Sequence, residues 1–302
     1  MQTETKATRA PSPLLAAIAP WQVLVLAALL LWLYGPTIYH LVGQWWHDPN
    51  FSHGFFVPLF SGFVVWQTHD QWSHLPLRPS WSGLAFLVLA LFVLIIGQMG
   101  AELFLARSSM LMALAGLIIL FLGWNYLRAL AFPMAFLVLM IPIPAIVFNQ
   151  ITFPLQLLAS QVSSALLPVL GVPVLREGNV IVLPAMALEV AEACSGIRSL
   201  MSLVTLAIIY AYLLEKKMLM RVVLAVASIP IAVAANSVRI IGTGLLVQYW
   251  DPEKAQGYFH ASWGWLIFVI SLLMLYLFHR ILRTIWREPA SRGRMTEVRT
   301  NA

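Results

Sequence analysis

The sequence predicts an all-α polytopic membrane protein with about eight transmembrane helices. A small extracytoplasmic β-hairpin and an interfacial helix are expected before the sixth span. Three observations carry this. Apolar residues make up 61% of the 302-residue chain, against roughly 45–50% in ordinary soluble domains. Charged residues make up 10%, where about 25% is usual. The apolar residues also gather into stretches near the ~20 residues that cross a bilayer. A soluble enzyme is excluded, because a soluble fold of this size could not hide that much apolar surface. A disordered chain is excluded too, as is a disulfide scaffold, since Cys194 is the single cysteine.

The candidate spans run approximately 20–39, 54–67, 82–100, 108–124, 129–148, 197–214, 219–241 and 261–280. The second is short, and the fifth is interrupted by Pro133, Pro142 and Pro144. The first is too long for a signal-peptide core and lacks a small-residue cleavage site, so it reads as an uncleaved span. Residues 1–19 then form a cytoplasmic N-terminal segment, 20–280 a single integral membrane domain, and 281–302 a basic cytoplasmic tail. Eight spans place both ends on one side. On that topology thirteen of the eighteen Lys and Arg fall inside, as the positive-inside rule requires. Six of them are the terminal arginines Arg280, Arg283, Arg287, Arg292, Arg294 and Arg299. The net charge of +6 therefore reads as an orientation signal or contact with anionic membrane lipids, and no nucleic-acid partner is expected.

Between about Ile151 and Glu192 the pattern changes. Residues 151–168 are moderately apolar with Gln156, Ser160, Gln161, Ser163 and Ser164 spaced along them, as in a helix lying at the interface. Val172 to Val182 then alternates around Gly178-Asn179, which reads as a hairpin with its turn there.

Ionisable residues at or within span ends are functional candidates, because burying them is costly. Cys194 lies where the sixth span begins, Arg239 at the end of the seventh, and His260 where the eighth begins. Three consecutive spans thus deliver Cys, Arg and His to one membrane face. A cysteine attacks carbonyls as its thiolate, so its site must lower its pKa or supply a base. A helix N-terminus helps through its dipole. A histidine can take the thiol proton and return it to a leaving amine, and an arginine can stabilise an oxyanion. Asn236, three residues before Arg239, shares its helical face. Simpler roles stand beside these. A lone cysteine in an apolar chain is ordinarily a small buried hydrophobe, and an arginine near a span end ordinarily snorkels. A histidine in a loop is ordinarily unremarkable. Arg198, one turn after Cys194, is a rival cation or a lipid anchor, and Glu192 a solvated residue or a substrate contact.

The motifs Ala193-Cys194-Ser195-Gly196-Ile197-Arg198-Ser199, Ala235-Asn236-Ser237-Val238-Arg239-Ile240 and His260 with Trp263-Gly264-Trp265 together resemble those of the exosortase/archaeosortase membrane transpeptidases. Phe51-Ser52-His53-Gly54-Phe55 with Pro58 is similar to that family's early outer loop, and the resemblance covers roughly residues 20–280. It implies an enzyme of the bacterial exosortase branch, in the inner membrane of an exopolysaccharide-producing bacterium. Both termini would be cytoplasmic and the active site would face the periplasm. Its partners would be exported proteins with a C-terminal sorting signal: a short motif (typically Pro-Glu-Pro), a transmembrane helix and a basic cluster. Cys194 would cut near the motif and form a thioester, which an unidentified amine acceptor, or water, resolves. Arg239 and His260 would fill the other catalytic positions. Asn236, Arg198, His53 and Glu192 would support them or bind substrate. The substrate helix would enter laterally, packing on small residues such as Gly242 and Gly244.

No cofactor is expected, since a thiolate mechanism needs none, and no metal is expected, since no cluster has ligand spacing. Two other classes compete. One is a transporter, for which Pro142-Ile143-Pro144 would mark a discontinuous helix. The other is a non-catalytic membrane assembly factor that binds substrate tails without cutting them. Cysteine labelling separates both from the enzyme, which alone needs a reactive, outward-facing Cys194.

Overall fold

The computed structural model describes residues 20–190, 197–249 and 258–286, with side chains described from 21 onward and, in the last stretch, from 264. Among the described residues, seven helices are long and apolar enough to cross a membrane. The chain forms two compact units, Met1–Phe153 and Pro154–Ala302.

In the first unit, α1 spans Pro20–His47, eight residues further than its most apolar stretch suggests. It stops where Asp48 precedes Pro49, because a residue before proline is pushed out of the helical region. Asp48 then caps a 3-10 helix over Pro49–Phe55, accepting from the Asn50 amide at 2.9 Å. The predicted second span is a helix of 12 residues, α2, Phe56–Gln67. It is too short to cross a bilayer as a regular helix.

Helices α3 (Ser82–Met99) and α4 (Leu103–Phe121) form a tight antiparallel hairpin. A Cβ on Gly83 would stand 2.3 Å from the Leu120 amide nitrogen. Close backbone approach through small residues is how apolar helices gain dispersion contact in lipid. Tyr34, Ala90, Leu94, Ala106 and Ala113 form the buried core between this hairpin and α1.

The predicted fifth span, 129–148, is not a continuous helix. A short helix, α5 (Trp124–Ala129), leads into it, and it holds α6 (Ala131–Phe136) and a 3-10 turn over Leu137–Met140. An irregular stretch containing Pro142 and Pro144 follows. Prolines remove amide donors, and backbone groups freed at membrane depth need partners from the protein. Trp45 Nε1 donates to the Met140 carbonyl at 2.9 Å, and Ser61 Oγ donates to the Pro133 carbonyl at 3.1 Å.

Helix α7, Ala145–Leu166, includes Pro154 and runs into the second unit. It replaces the expected interfacial helix with one long and apolar enough to span. Its polar stripe points inward: Thr152, Gln156, Ser160 and Ser163 are buried, while Ile151, Phe153, Leu158 and Leu166 are exposed. An interfacial helix would turn those polar groups to water, whereas an exposed apolar face is what lipid requires.

The second unit continues with an antiparallel sheet of three strands, one more than expected: β1 (Leu175–Glu177), β2 (Val180–Val182) and β3 (Ala187–Glu189), in that order. The β1–β2 turn is Gly178-Asn179 as predicted, with Glu177 opposite Val180 and Gly178 at φ +65°. Glycine reaches that conformation without steric cost, and its place at the first turn position suits a two-residue hairpin. Three long helices follow: α8 (Ile197–Leu214), α9 (Met218–Tyr249) and α10 (Tyr258–Ile285). The sheet seats on α7 and the last turns of α9 through a core of Ala159, Leu167, Val172, Ile181, Leu183, Val190, Ile240 and Val247. Helix α10 extends beyond the predicted span, so Arg280 and Arg283 lie on it rather than in a tail.

Candidate active site

The three long helices of the second unit bring the start of α8, the far half of α9 and the start of α10 to one end. Short connections dictate this, since α8 and α9 are joined by three residues and pack as neighbours, and α9 packs on α10. Cys194 and Glu192 lie outside the described residues. The chain on either side of them is fixed, because Val190 and Ile197 are both fully buried. Asn179 holds Val190 in place, its carbonyl accepting from the Val190 amide at 2.9 Å and its side-chain amide donating to the Val190 carbonyl at 3.4 Å.

Arg239 is not at a helix end. Helix α9 continues ten residues past it to Tyr249, and the sheet packs on that extension. The apolar run ends near 241, but buried Ile240 and Val247 against the sheet keep the helix going. The Arg239 guanidinium reaches α10. Its Nη2 lies 3.5 Å, and its Cζ 3.7 Å, from the point where a Cβ on Gly264 would stand. Gly264 is one turn beyond His260, whose backbone is in the first turn of α10; the His260 side chain is outside the described residues. Asn236 is buried on α9, one turn before Arg239, so the two share a face.

Arg198 is exposed on the first turn of α8, and Gly244 does not line an opening. A Cβ there would meet Leu167 at 3.2 Å and Leu183 at 3.8 Å, so the sheet core fills that position. His53 belongs to the first unit, buried in the 3-10 helix with its Nδ1 lacking a hydrogen-bond partner. Burial pushes its imidazole below the ordinary value, and the backbone at Leu139 and Asn50 opposes that shift. Among the described residues, no three His, Cys, Asp or Glu side chains converge as a metal site needs.

Sequence reasoning missed Asn179, read only as a turn residue, and the polar group where α8 and α10 end. There Tyr210, Glu215, His279 and Arg283 meet in a chain of hydrogen bonds. The signal was present, because His279 continues the buried stripe Ile267, Ser271, Leu275 at four-residue spacing.

The fold defines a helix-built, multi-pass membrane protein. The chain belongs to the transmembrane exosortase family, whose model matches residues 45–277. No curated protein and no solved structure matches it. Family membership carries the general function of a membrane sorting transpeptidase of the cysteine type.

Proposed function

We propose that this chain is a membrane cysteine protease-transpeptidase acting on exported proteins that end in a Pro-Glu-Pro-like motif, a transmembrane helix and a basic cluster. One observation supports the assignment most directly: the Arg239 guanidinium of α9 rests against Gly264, one turn from His260 on α10. His260 takes the Cys194 thiol proton, and the sulfur attacks the carbonyl carbon of the scissile peptide bond. Arg239 faces the oxyanion of the tetrahedral intermediate, a preorganised cation placed where negative charge develops. The carbon–nitrogen bond then breaks, and the imidazolium returns its proton to the departing amine. An amine acceptor, or water, attacks the resulting thioester carbonyl and releases the Cys194 thiol. Asn236 orients Arg239. Arg198, Glu192 and His53 are candidate contacts to the substrate around this core. The reaction takes place on the periplasmic face of a bacterial inner membrane, with the terminal arginines on the cytoplasmic side against anionic lipid.

The test is co-expression with a reporter ending in motif, helix and basic cluster, comparing wild type with Cys194→Ala and Cys194→Ser. Loss of the reporter tail with wild type alone would establish the protease and its nucleophile. If the reporter stays whole, outer-face thiol labelling decides. An unreactive Cys194 would overturn the enzyme assignment in favour of a non-catalytic assembly factor.

A further inference from the structure

The densest polar cluster among the described residues lies at the other end of the same helices. His279, near the end of α10, is 3% exposed. Its Nδ1 is 2.7 Å from the Tyr210 hydroxyl of α8, and its Nε2 is 2.6 Å from Glu215 Oε1, just past the end of α8. Arg283, one turn further along α10, places its Nε 3.0 Å from the same carboxylate oxygen. In the neutral tautomer that suits both partners, Tyr210 donates to Nδ1 and Nε2–H donates to Glu215. Arg221 of α9 closes the end of α8. Its Nε donates to the Glu215 carbonyl at 2.7 Å and its Nη2 to the Tyr212 carbonyl at 3.1 Å.

We propose that Tyr210, Glu215, His279 and Arg283 form a positioning clasp that sets the axial register of α8 against α10, the helices at whose far ends the proposed reaction takes place. This rests on the site reading given above. The contacts step from Tyr210 with His279 to Glu215 with Arg283, toward the C-terminus on both helices, so α8 and α10 run parallel. Their apolar contact with each other is narrow, and each packs mainly on α9. The clasp adds a direct polar tie between the two helices and opposes axial slip, which for packed helices goes by a turn of about 5.4 Å.

The experiment uses the full chain in membranes and two readouts. The first is oxidative cross-linking between native Cys194 and His260→Cys, with and without His279→Leu or Tyr210→Phe. The second is reporter cleavage by the clasp variants in the otherwise wild-type chain. Breaking the clasp is expected to slow cross-linking at least fivefold. It should also lower kcat about 10- to 100-fold, the scale of a misplacement near 1 Å, with KM unchanged. His279→Gln, which keeps one hydrogen bond, should recover part of both. Unchanged cross-linking in Tyr210→Phe and His279→Leu would overturn the clasp. Where His279→Leu fails to accumulate, Tyr210→Phe decides, since it removes one hydroxyl. No cross-link with the clasp intact would overturn instead the pairing of Cys194 with His260, and the clasp's role with it.

Discussion

The Arg239 guanidinium lies in van der Waals range of the Cβ that Gly264 lacks. The absence of a side chain on α10 is thus what admits the cation of α9. Tolerance at this position should be graded. Gly264→Ala places its methyl at 3.5 Å, an ordinary contact, and should keep activity within a few-fold. Gly264→Leu must push the guanidinium aside and should lower kcat about 100-fold, as removing an oxyanion donor does. Reporter cleavage rates for the two variants check this, and equal rates would mean that Arg239 need not sit there.

His53 predicts a pH dependence for the first unit. Its folded pKa lies below the ordinary 6.5 because of burial. As pH falls through 6.5 the unfolded chain takes up the proton first, so stability should fall toward acid pH and level off above 7. Thermal unfolding in detergent between pH 5 and 8 should show that slope, and His53→Asn should flatten it.

Arg107 is a cation within α4, 2% exposed, with an Nε that has no hydrogen-bond partner. Desolvating such a charge is expensive, and apolar replacements of buried charges are often neutral or stabilising by about 1–4 kcal/mol. Arg107→Met should therefore leave the melting temperature unchanged or raise it. A clear drop would reveal a bond to the guanidinium that lowers its burial cost.

Two glycines make a paired test of helix packing. Gly83→Ala sets a methyl 2.3 Å from a backbone nitrogen of α4 and should cost about 1–3 kcal/mol or more, as overpacking does. Gly62→Ala on α2 meets nothing within 4 Å and should gain up to about 1 kcal/mol through helix propensity. Melting temperatures moving in the same direction would contradict the close α3–α4 approach.

What the sequence disclosed depended on how local the signal was. The α3, α4 and α8 spans are continuous apolar runs, and Gly178-Asn179 is a turn written in two residues; both were legible. The stripe Gln156, Ser160, Ser163 was legible as a stripe but not in its direction. Polar spacing looks the same whether the groups face water or a protein sheet, and only the exposed Phe153 and Leu158 decide. The third strand is three residues beside Pro184, too short for alternation to show. Cys194, Arg239 and His260 stood out as ionisable residues where apolar runs end. The Tyr210–His279–Glu215 contact joins residues over sixty positions apart, a distance no local pattern spans.

Helix α9 has 32 residues, about 48 Å of rise, against a hydrocarbon slab of about 30 Å. It overshoots the bilayer, and its last turns carry the sheet. The height of Arg239 is thus a length counted from Met218 rather than a level taken from the lipid. A thicker or thinner bilayer is met by helix tilt and by local lipid strain, while the spacing of Arg239 from the sheet stays set by the helix itself.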